Sequence, residues 1–557
     1  MRGSGTVSKG SARGAGRRSR SLRFGVFGLL LGMFLGMVDG MIVGTALPTI
    51  VGELGGLEQL SWVVTAYLLT AAVATPIWGK LGDLHGRKGI FMAAIVLFLA
   101  GSVLSGLAQD MGQLIGFRAL QGLGAGGLMV GALSIIGVLV PPRESGRMQS
   151  MIGAMMPVAF IGGPLLGGFL TDHLSWRWAF YVNLPVGAVA LLIVGVGVRL
   201  ERTERNRAPI DYAGAALLSL GILALTLLAS WGGGRYGWAS PQILGLAAVG
   251  AVATAWFVRV ERRAAEPVIP PRLFADRNFT LAQVLSFLVG AVMLGATSYL
   301  PQYMQFVQGL SPTAGGLLLV PLMFGMLGVQ LATGALISRT GRYRRYPILG
   351  GAVLTLGLLI LLRLGTDTAT AAVSALTVVA GAGIGLVMQS TMVITMNSAD
   401  PRDMGAASGT VTLLRTLGGS LGVALLGAVF TGRLQSGLAD RLGQDTARRL
   451  TEGADQMTPQ LLQGVTGPVR DAYRAAVTGG LHGVLIGGAV LAVLAFAAAW
   501  FVREVPLRGD GSGGRGEGGT GDGAADRGAA MAEGAGATAG EPHPGPGHRA
   551  AAPAPRS

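Results

Sequence analysis

The chain contains no cysteine. That excludes disulfide bonds and thiolate-ligated metals. Charge is scarce as well: only 13% of the 557 residues are Asp, Glu, Lys or Arg. A soluble domain carries about a quarter charged residues. Histidines are few and scattered. His85, His173 and His482 fall near predicted membrane edges, and His543 and His548 lie in the tail, which is a poor metal site. No HExxH, P-loop or Ser/His/Asp arrangement occurs in a context that would make it work. Neither enzyme chemistry nor a cofactor is expected.

What is present is hydrocarbon: 51% of the residues are hydrophobic. They gather in runs of about 20 residues, the length of a bilayer-spanning helix. The fold class is therefore an all-α polytopic membrane protein. Fourteen runs begin near residues 24, 61, 90, 112, 148, 178, 211, 242, 279, 314, 346, 370, 404 and 480. Polar breaks at Glu201–Arg207 and Glu261–Asn278 group them as six, two and six. The expected organisation is a disordered basic arm over 1–23, a six-helix bundle over 24–200 and an inserted two-helix pair over 211–260. A second six-helix bundle follows over 279–502, then a disordered tail rich in Gly, Ala and Pro over 503–557.

The formal net charge of +15 does not indicate nucleic acid, because no nucleic-acid module accompanies it. The basic residues sit instead in alternate gaps: the N-terminal arm, Lys80 to Lys88, Arg143 to Arg147, Arg199 to Arg207, Arg262 to Arg277, and Arg339 to Arg345. Those gaps are cytoplasmic by the positive-inside rule, and both termini join them. Arginine in the Asp172–Arg177 gap and in the long 432–479 gap departs from the pattern. The first run, about 24 residues without a convincing cleavage site, reads as a retained helix.

An internal repeat is visible. "GKLGDLHGRK" (Gly79–Lys88) follows span two, and "GALISRTGRYRR" (Gly334–Arg345) follows span ten. Gly79, Leu81, Gly86 and Arg87 align with Gly334, Leu336, Gly341 and Arg342, while Asp83 meets Ser338. Two six-helix units are expected, with substrate between them near the bilayer midplane.

Asp39 lies inside the first run. A carboxylate at that depth costs about 2.5–3.5 kcal/mol, so it faces the bundle interior and marks an ion path or a structural ion pair. Glycines at 28, 32, 36, 40 and 44 form a stripe beside it for close helix contact. Arg118 is the second intramembrane charge. Gln121, three residues on, shares its helix face. Asp39 and Arg118 are expected to compensate one another, directly or through Gln121; the alternative has Arg118 snorkelling to an interface. "GLGAGG" (Gly122–Gly127) matches a dinucleotide-binding spacing but lies within an apolar helix, where close packing explains it better.

In "GAMMPVAFIGGPLLGG" (Gly153–Gly168), Pro157 and Pro164 interrupt one span and can kink it, giving a packing hinge between the inner helices of the halves. Gln302, Gln305, Gln330, Gln389, Asn397 and Arg415 are polar groups in or beside second-half spans. Unpaired polar groups are costly in hydrocarbon, so a cavity or another helix should receive them. With Tyr299, Tyr303 and methionines 388, 392 and 396, the amides are candidates for an adaptable pocket or for ordinary packing.

Taken together, these stretches resemble the major facilitator superfamily, in particular its fourteen-helix drug:proton antiporter branch. "VDGMIVGTALP" (Val38–Pro48) is similar to that branch's first-helix motif, and "GKLGDLHGRK" to the loop motif of the whole superfamily. "LIGFRALQGLGAGG" (Leu114–Gly127) resembles the fourth-helix arginine motif, "GGPLLGG" (Gly162–Gly168) the fifth-helix antiporter motif, and "SWRWAFYVNLPVG" (Ser175–Gly187) the sixth-helix signature. "LPQYMQFVQGLSPTAGGLLLVP" and "LLRTLGGSLGVALLG" also resemble it. The chain departs from the branch at Met41, usually Thr, and at Gly44, commonly Asn-like; both changes lower the polarity around Asp39.

The resemblance implies inverted repeats and alternating access. It implies proton coupling at Asp39 and Arg118, with the proton gradient as energy source. It implies a conformational latch at Gly79, Asp83, Gly86 and Arg87, and an antiporter motif at Gly153, Pro157, Gly163, Pro164 and Gly167. Substrate-cavity candidates are Gln121, Tyr299, Gln302, Gln305, Gln389, Asn397 and Arg415. The expected protein is a monomeric exporter of small amphipathic drugs or secondary metabolites in a bacterial cell membrane. Its partners would be the substrate, protons and the lipid bilayer. Two rival readings are a non-transporting receptor or scaffold, and a carrier of a lipid or other metabolite on the same fold.

Overall fold

A computed structural model describes residues 8–55, 59–140, 142–198, 200, 211–232, 236–310, 319–444, 446 and 467–507. The first seven residues of the basic arm, the break at 201–210 and the tail from 508 onward lie outside the described residues.

Fourteen long helices run through the described part. In chain order they are α1 (Ser8–Leu54), α2 (Leu60–His85), α3 (Arg87–Leu107), α4 (Met111–Leu139) and α5 (Pro142–His173). Next come α6 (Trp178–Gly197, with a one-residue break at Val182), α7 (Tyr212–Trp231) and α8 (Pro241–Glu261). The last six are α9 (Arg277–Phe306), α10 (Val320–Thr340), α11 (Arg345–Leu361), α12 (Thr370–Ser398), α13 (Met404–Leu442) and α14 (Gly467–Trp500). Twelve of them are long and apolar enough to cross a membrane, α11 is a shorter apolar helix, and α5 completes the set. Among the described residues the one extended pairing is an isolated bridge between Gly232 and Tyr236.

The helix starts are set by local chemistry. Asp110, Asp211, Ser240 and Asp276 each accept a backbone N–H three residues on, which caps α4, α7, α8 and α9. Gly341 ends α10 at a φ of 67°, a left-handed conformation that glycine adopts without penalty. Several helices outrun their apolar runs. Residues 8–23, expected as a disordered arm, continue α1 as helix. The nucleation cost is already met by the span, so extension through Arg, Ser and Ala is cheap. α14 begins at Gly467, well before the apolar run near 480, and Arg474 anchors its polar start by donating to the Val307 and Thr366 carbonyls at 2.7 and 3.0 Å.

The packing repeats. α2 lies along α4, α3 along α4, and α1 against α5 and α6; α10 lies along α12, α11 along α12, and α9 against α13 and α14. The second helix of each half also packs on the fifth helix of the other, α2 on α13 and α10 on α5. One six-helix plan is thus used twice, as the aligned loop motifs predict. One apolar core is confined to residues 282–507; a second joins helices of the first half to residues 392–411. The inserted pair α7 and α8 packs through Ile222 and Phe257 on Ala72 of α2 and Leu413 of α13.

Outward faces remain apolar: Leu165, Leu192 and Val196 are 70%, 69% and 71% exposed. In water such a surface would aggregate, whereas in lipid it is solvated. The protein is a multi-pass membrane protein. Glycine brings the inner helices together. In "GLGAGG", side chains at Gly122 and Gly126 would strike α2 at Tyr67, Thr70 and Ala71, while side chains at Gly124 and Gly127 would strike α3 at Phe98 and Ala94. The spacing serves a three-helix contact.

Candidate functional site

Asp39, on α1, is fully buried. Arg118, on α4, donates from Nη1 to Asp39 Oδ2 at 2.7 Å, and neither side chain is more than 1% exposed. Gln121, one turn on, donates from Nε2 to Asp39 Oδ1 at 2.8 Å and accepts from Arg118 Nη1 at 2.6 Å. The expected compensation is therefore both direct and through Gln121. The snorkelling alternative fails, because the guanidinium points inward and lies over the Tyr67 ring, 4.0 Å from its centroid. Tyr67 in turn donates to the Gly36 carbonyl.

Two members of this network escaped the sequence reading. Asn183, at the start of the second piece of α6, donates from Nδ2 to Asp39 Oδ1 at 2.7 Å. Ser102 of α3 accepts from Asn183 Nδ2 at 2.9 Å and Gln121 Nε2 at 3.2 Å, and donates to the Phe180 carbonyl at 2.8 Å. The signal available in sequence was Asn183 itself, an amide inside "FYVNLPVG". Asp39 thus accepts three hydrogen bonds from two further helices, in a site that water does not reach and where charge and polarity are closely balanced. Low local dielectric makes each of these bonds strong and each broken one expensive.

The stripe on α1 divides in two. Side chains at Gly28, Gly32 and Gly36 would meet Ile193, Phe91 and Leu128, whereas Gly40 and Gly44 face open space. In the fifth-helix motif, Gly163 and Gly167 pack on Met41, Ile42 and Thr45 of α1, within the same half, while Gly153 lies against the Gln330 amide of α10, across the two halves. α5 runs unbroken through Pro157 and Pro164; Pro164 is half-buried, and the Pro157 side chain lies outside the described residues.

The loop motif joins the halves. Asp83 accepts from Arg87 Nε and Nη2 at 2.9 and 2.7 Å. Its two oxygens also accept the backbone N–H groups of Gly405 and Ala406, at 3.1 and 3.0 Å, in the first turn of α13. A carboxylate there is favoured by the unpaired amides and by the helix dipole. Arg87 reaches the Pro401 carbonyl. A side chain on Gly79 would strike the Gly405 carbonyl, and Gly86 turns the chain at a φ of 101°. In the degenerate second copy, Ser338 bonds back to the Gly334 carbonyl of its own helix.

Beside this contact Lys80 pairs with Glu266 at 2.8 Å, and Arg272 pairs with Asp403 at 2.9 Å. The Asp403 carboxylate holds the Arg272 guanidinium above its usual range. At the opposite end, Glu53 accepts from Arg177 and from Trp176 Nε1, and these donors hold its carboxyl below the usual range. The arginine that breaks the loop-charge alternation is thus paired with an acid at the end of α1.

The second-half candidates make individual contacts. Tyr299 donates to the Val423 carbonyl at 3.0 Å and stacks on Phe430. Asn397 reaches the Pro506 carbonyl at 3.4 Å and so holds the segment after α14. Gln389 is fully buried, whereas Gln302, Gln305 and Arg415 are half-buried. No ion pair of Arg415 occurs among the described residues, and the backbone at Arg415 packs against Gly290 of α9.

The family described as Major Facilitator Superfamily matches residues 29–219 and 212–423. An uncharacterised MFS-type transporter of Mycobacterium tuberculosis is 41% identical over 462 residues, covering 83% of this chain and 66% of that protein. The chain thus spans just under two thirds of that relative's length. The multidrug transporter protein MdtP of Bacillus subtilis is 37% identical, covering 75% of this chain and 77% of its own. Multidrug resistance protein 3 of the same organism is 36% identical, covering 78% and 86%. Among solved structures, the human organic anion transporter MFSD10 superposes with a TM-score of 0.58 at 14% identity, over 86% of this chain and 99% of that one. That likeness is one of fold.

Proposed function

The chain belongs to the major facilitator superfamily, and on that premise we propose that it is a proton-coupled exporter of small amphipathic molecules working by alternating access. The observation that carries the reading is the buried Asp39–Arg118 pair with its amide donors. A carboxylate closed off in this way is neutral only when it takes up a proton. Taking one up cancels the attraction to Arg118 and so changes the relation of α1 to α4. The names of the Bacillus relatives support efflux of drug-like compounds as the task. The orientation we propose places both termini and the Arg-rich loops in the cytoplasm.

In this reading Asp83 and Arg87 close the cytoplasmic end by holding the start of α13. Protons entering from outside reach Asp39, and substrate leaves in exchange as the halves rock. The test is efflux of a fluorescent amphipathic cation from proteoliposomes under an imposed pH gradient. Efflux should stop when the gradient is collapsed and should be lost in Asp39→Asn. Undiminished wild-type efflux without a gradient would refute the coupling.

A further inference from the structure

The inserted helix pair carries an acidic site that the transport reading does not use. Glu261 closes α8 and is only 3% exposed. Its Oε1 accepts from Val268 N at 3.1 Å and the Ile269 N–H lies close to the carboxyl, but its Oε2 is buried with no donor in hydrogen-bond geometry. Asp211 caps α7 through Oδ1, which accepts from Gly214 N at 2.8 Å, and its Oδ2 is likewise buried without a donor. The two carboxyls converge over Gly214, where a side chain would touch both. We propose that Glu261, with an unpartnered buried oxygen and set against the Asp211 carboxyl, carries a proton at neutral pH, an ionisable site separate from the Asp39 network.

The physical case is one of counting. Two ionised carboxylates side by side in a dry place repel each other, and each leaves an oxygen unsatisfied. One proton removes a charge and turns one acceptor into a donor. A metal ion would ask for about six oxygen ligands, and the two free carboxylate oxygens fall short of that. Among the described residues, the neighbouring charges have partners elsewhere or are exposed. Lys80, from α2, pairs with Glu266 of the α8–α9 connection. Arg272 of that connection pairs with Asp403, which precedes α13. Arg259, Arg262 and Arg263 are exposed. Loss of the Glu261 proton would place a further negative charge near Lys80, in competition with Glu266, beside the contact that joins α2 to α13.

The site stands apart from the export reading, so failure here leaves that reading intact. The experiment is infrared difference titration of the purified full-length protein in lipid nanodiscs. A protonated-carboxyl band should be present at neutral pH and vanish as the medium turns alkaline. It should be absent in Glu261→Gln and retained in Asp39→Asn. In Asp211→Asn its loss should move toward acid by about tenfold or more in proton concentration, since the repelling charge is gone. Survival of the band in Glu261→Gln, or a wild-type titration in Asp211→Asn, would overturn the proposal. So would a wild type with no band at neutral pH whose thermal midpoint rises with sodium, because a bound cation would then hold the pair. A second measurement, carbodiimide labelling of wild-type Glu261 read by peptide mass, should fall as pH rises; labelling that ignores pH also overturns it.

Discussion

Asp39 and Arg118 meet at 2.7 Å although 79 residues separate them in the chain. The contact is sealed from solvent, so each partner's charge is compensated by the other. Removing one leaves the second buried and uncompensated, which costs about 3–5 kcal/mol. Arg118→Ala is therefore expected to lower the thermal midpoint of the purified protein sharply. Pairing it with Asp39→Asn should recover most of the loss, since no lone charge remains. An Arg118→Ala protein as heat-stable as the wild type would remove the basis for treating the pair as buried.

Asn183 supplies the amide that completes Asp39 Oδ1 and also reaches Ser102. Asn183→Leu keeps the branched shape at a larger volume and deletes both bonds. The expected cost is about 1.5–3 kcal/mol, the range for hydrogen bonds to a charged group. The check is thermal unfolding followed by intrinsic fluorescence. Asn183→Asp should be worse, because it sets a second carboxylate against Asp39.

The close crossing of Gly79 on Gly405 leaves no room for a side chain. Gly79→Val should force α2 and α13 apart at that end, and Asp83→Asn should weaken the same contact. The chain has no native cysteine, so an introduced pair reports without background. Cysteines at Thr75 and Gly409, neighbours across this crossing, should link readily in the parent and poorly once Gly79→Val is added. Equal linking in both would show that the crossing does not limit closure.

The Glu53–Arg177 pair gives a pH signature. Its donors lower the Glu53 carboxyl in the folded state, so its stabilisation is complete above the unfolded pKa and is lost as pH falls through the folded one. Glu53 is about half exposed, and solvent screening limits the pair to about 1 kcal/mol. Arg177→Ala should be slightly less stable than the wild type near neutrality and converge with it in acid. A gap between the two that widens on acidification would contradict the assignment.

The sequence by itself determined the class, the fourteen spans and the doubled six-helix plan, because a bilayer demands long apolar runs and places basic loops on one side. It also singled out Asp39, Arg118 and Gln121, since a charge inside such a run is too costly to be incidental. Only the tertiary structure brought Asn183 to that carboxylate, and Ser102 to the two amides that serve it. A single amide or hydroxyl in a span is common and carries no address for its partner. The fold alone likewise decided that Asp83 grips two backbone amides more than 300 residues away, because every residue but proline has that N–H and its partner leaves no mark in the sequence. The same holds for the second-half amides: their polarity was legible, but which helix receives each one is a matter of how the rods pack.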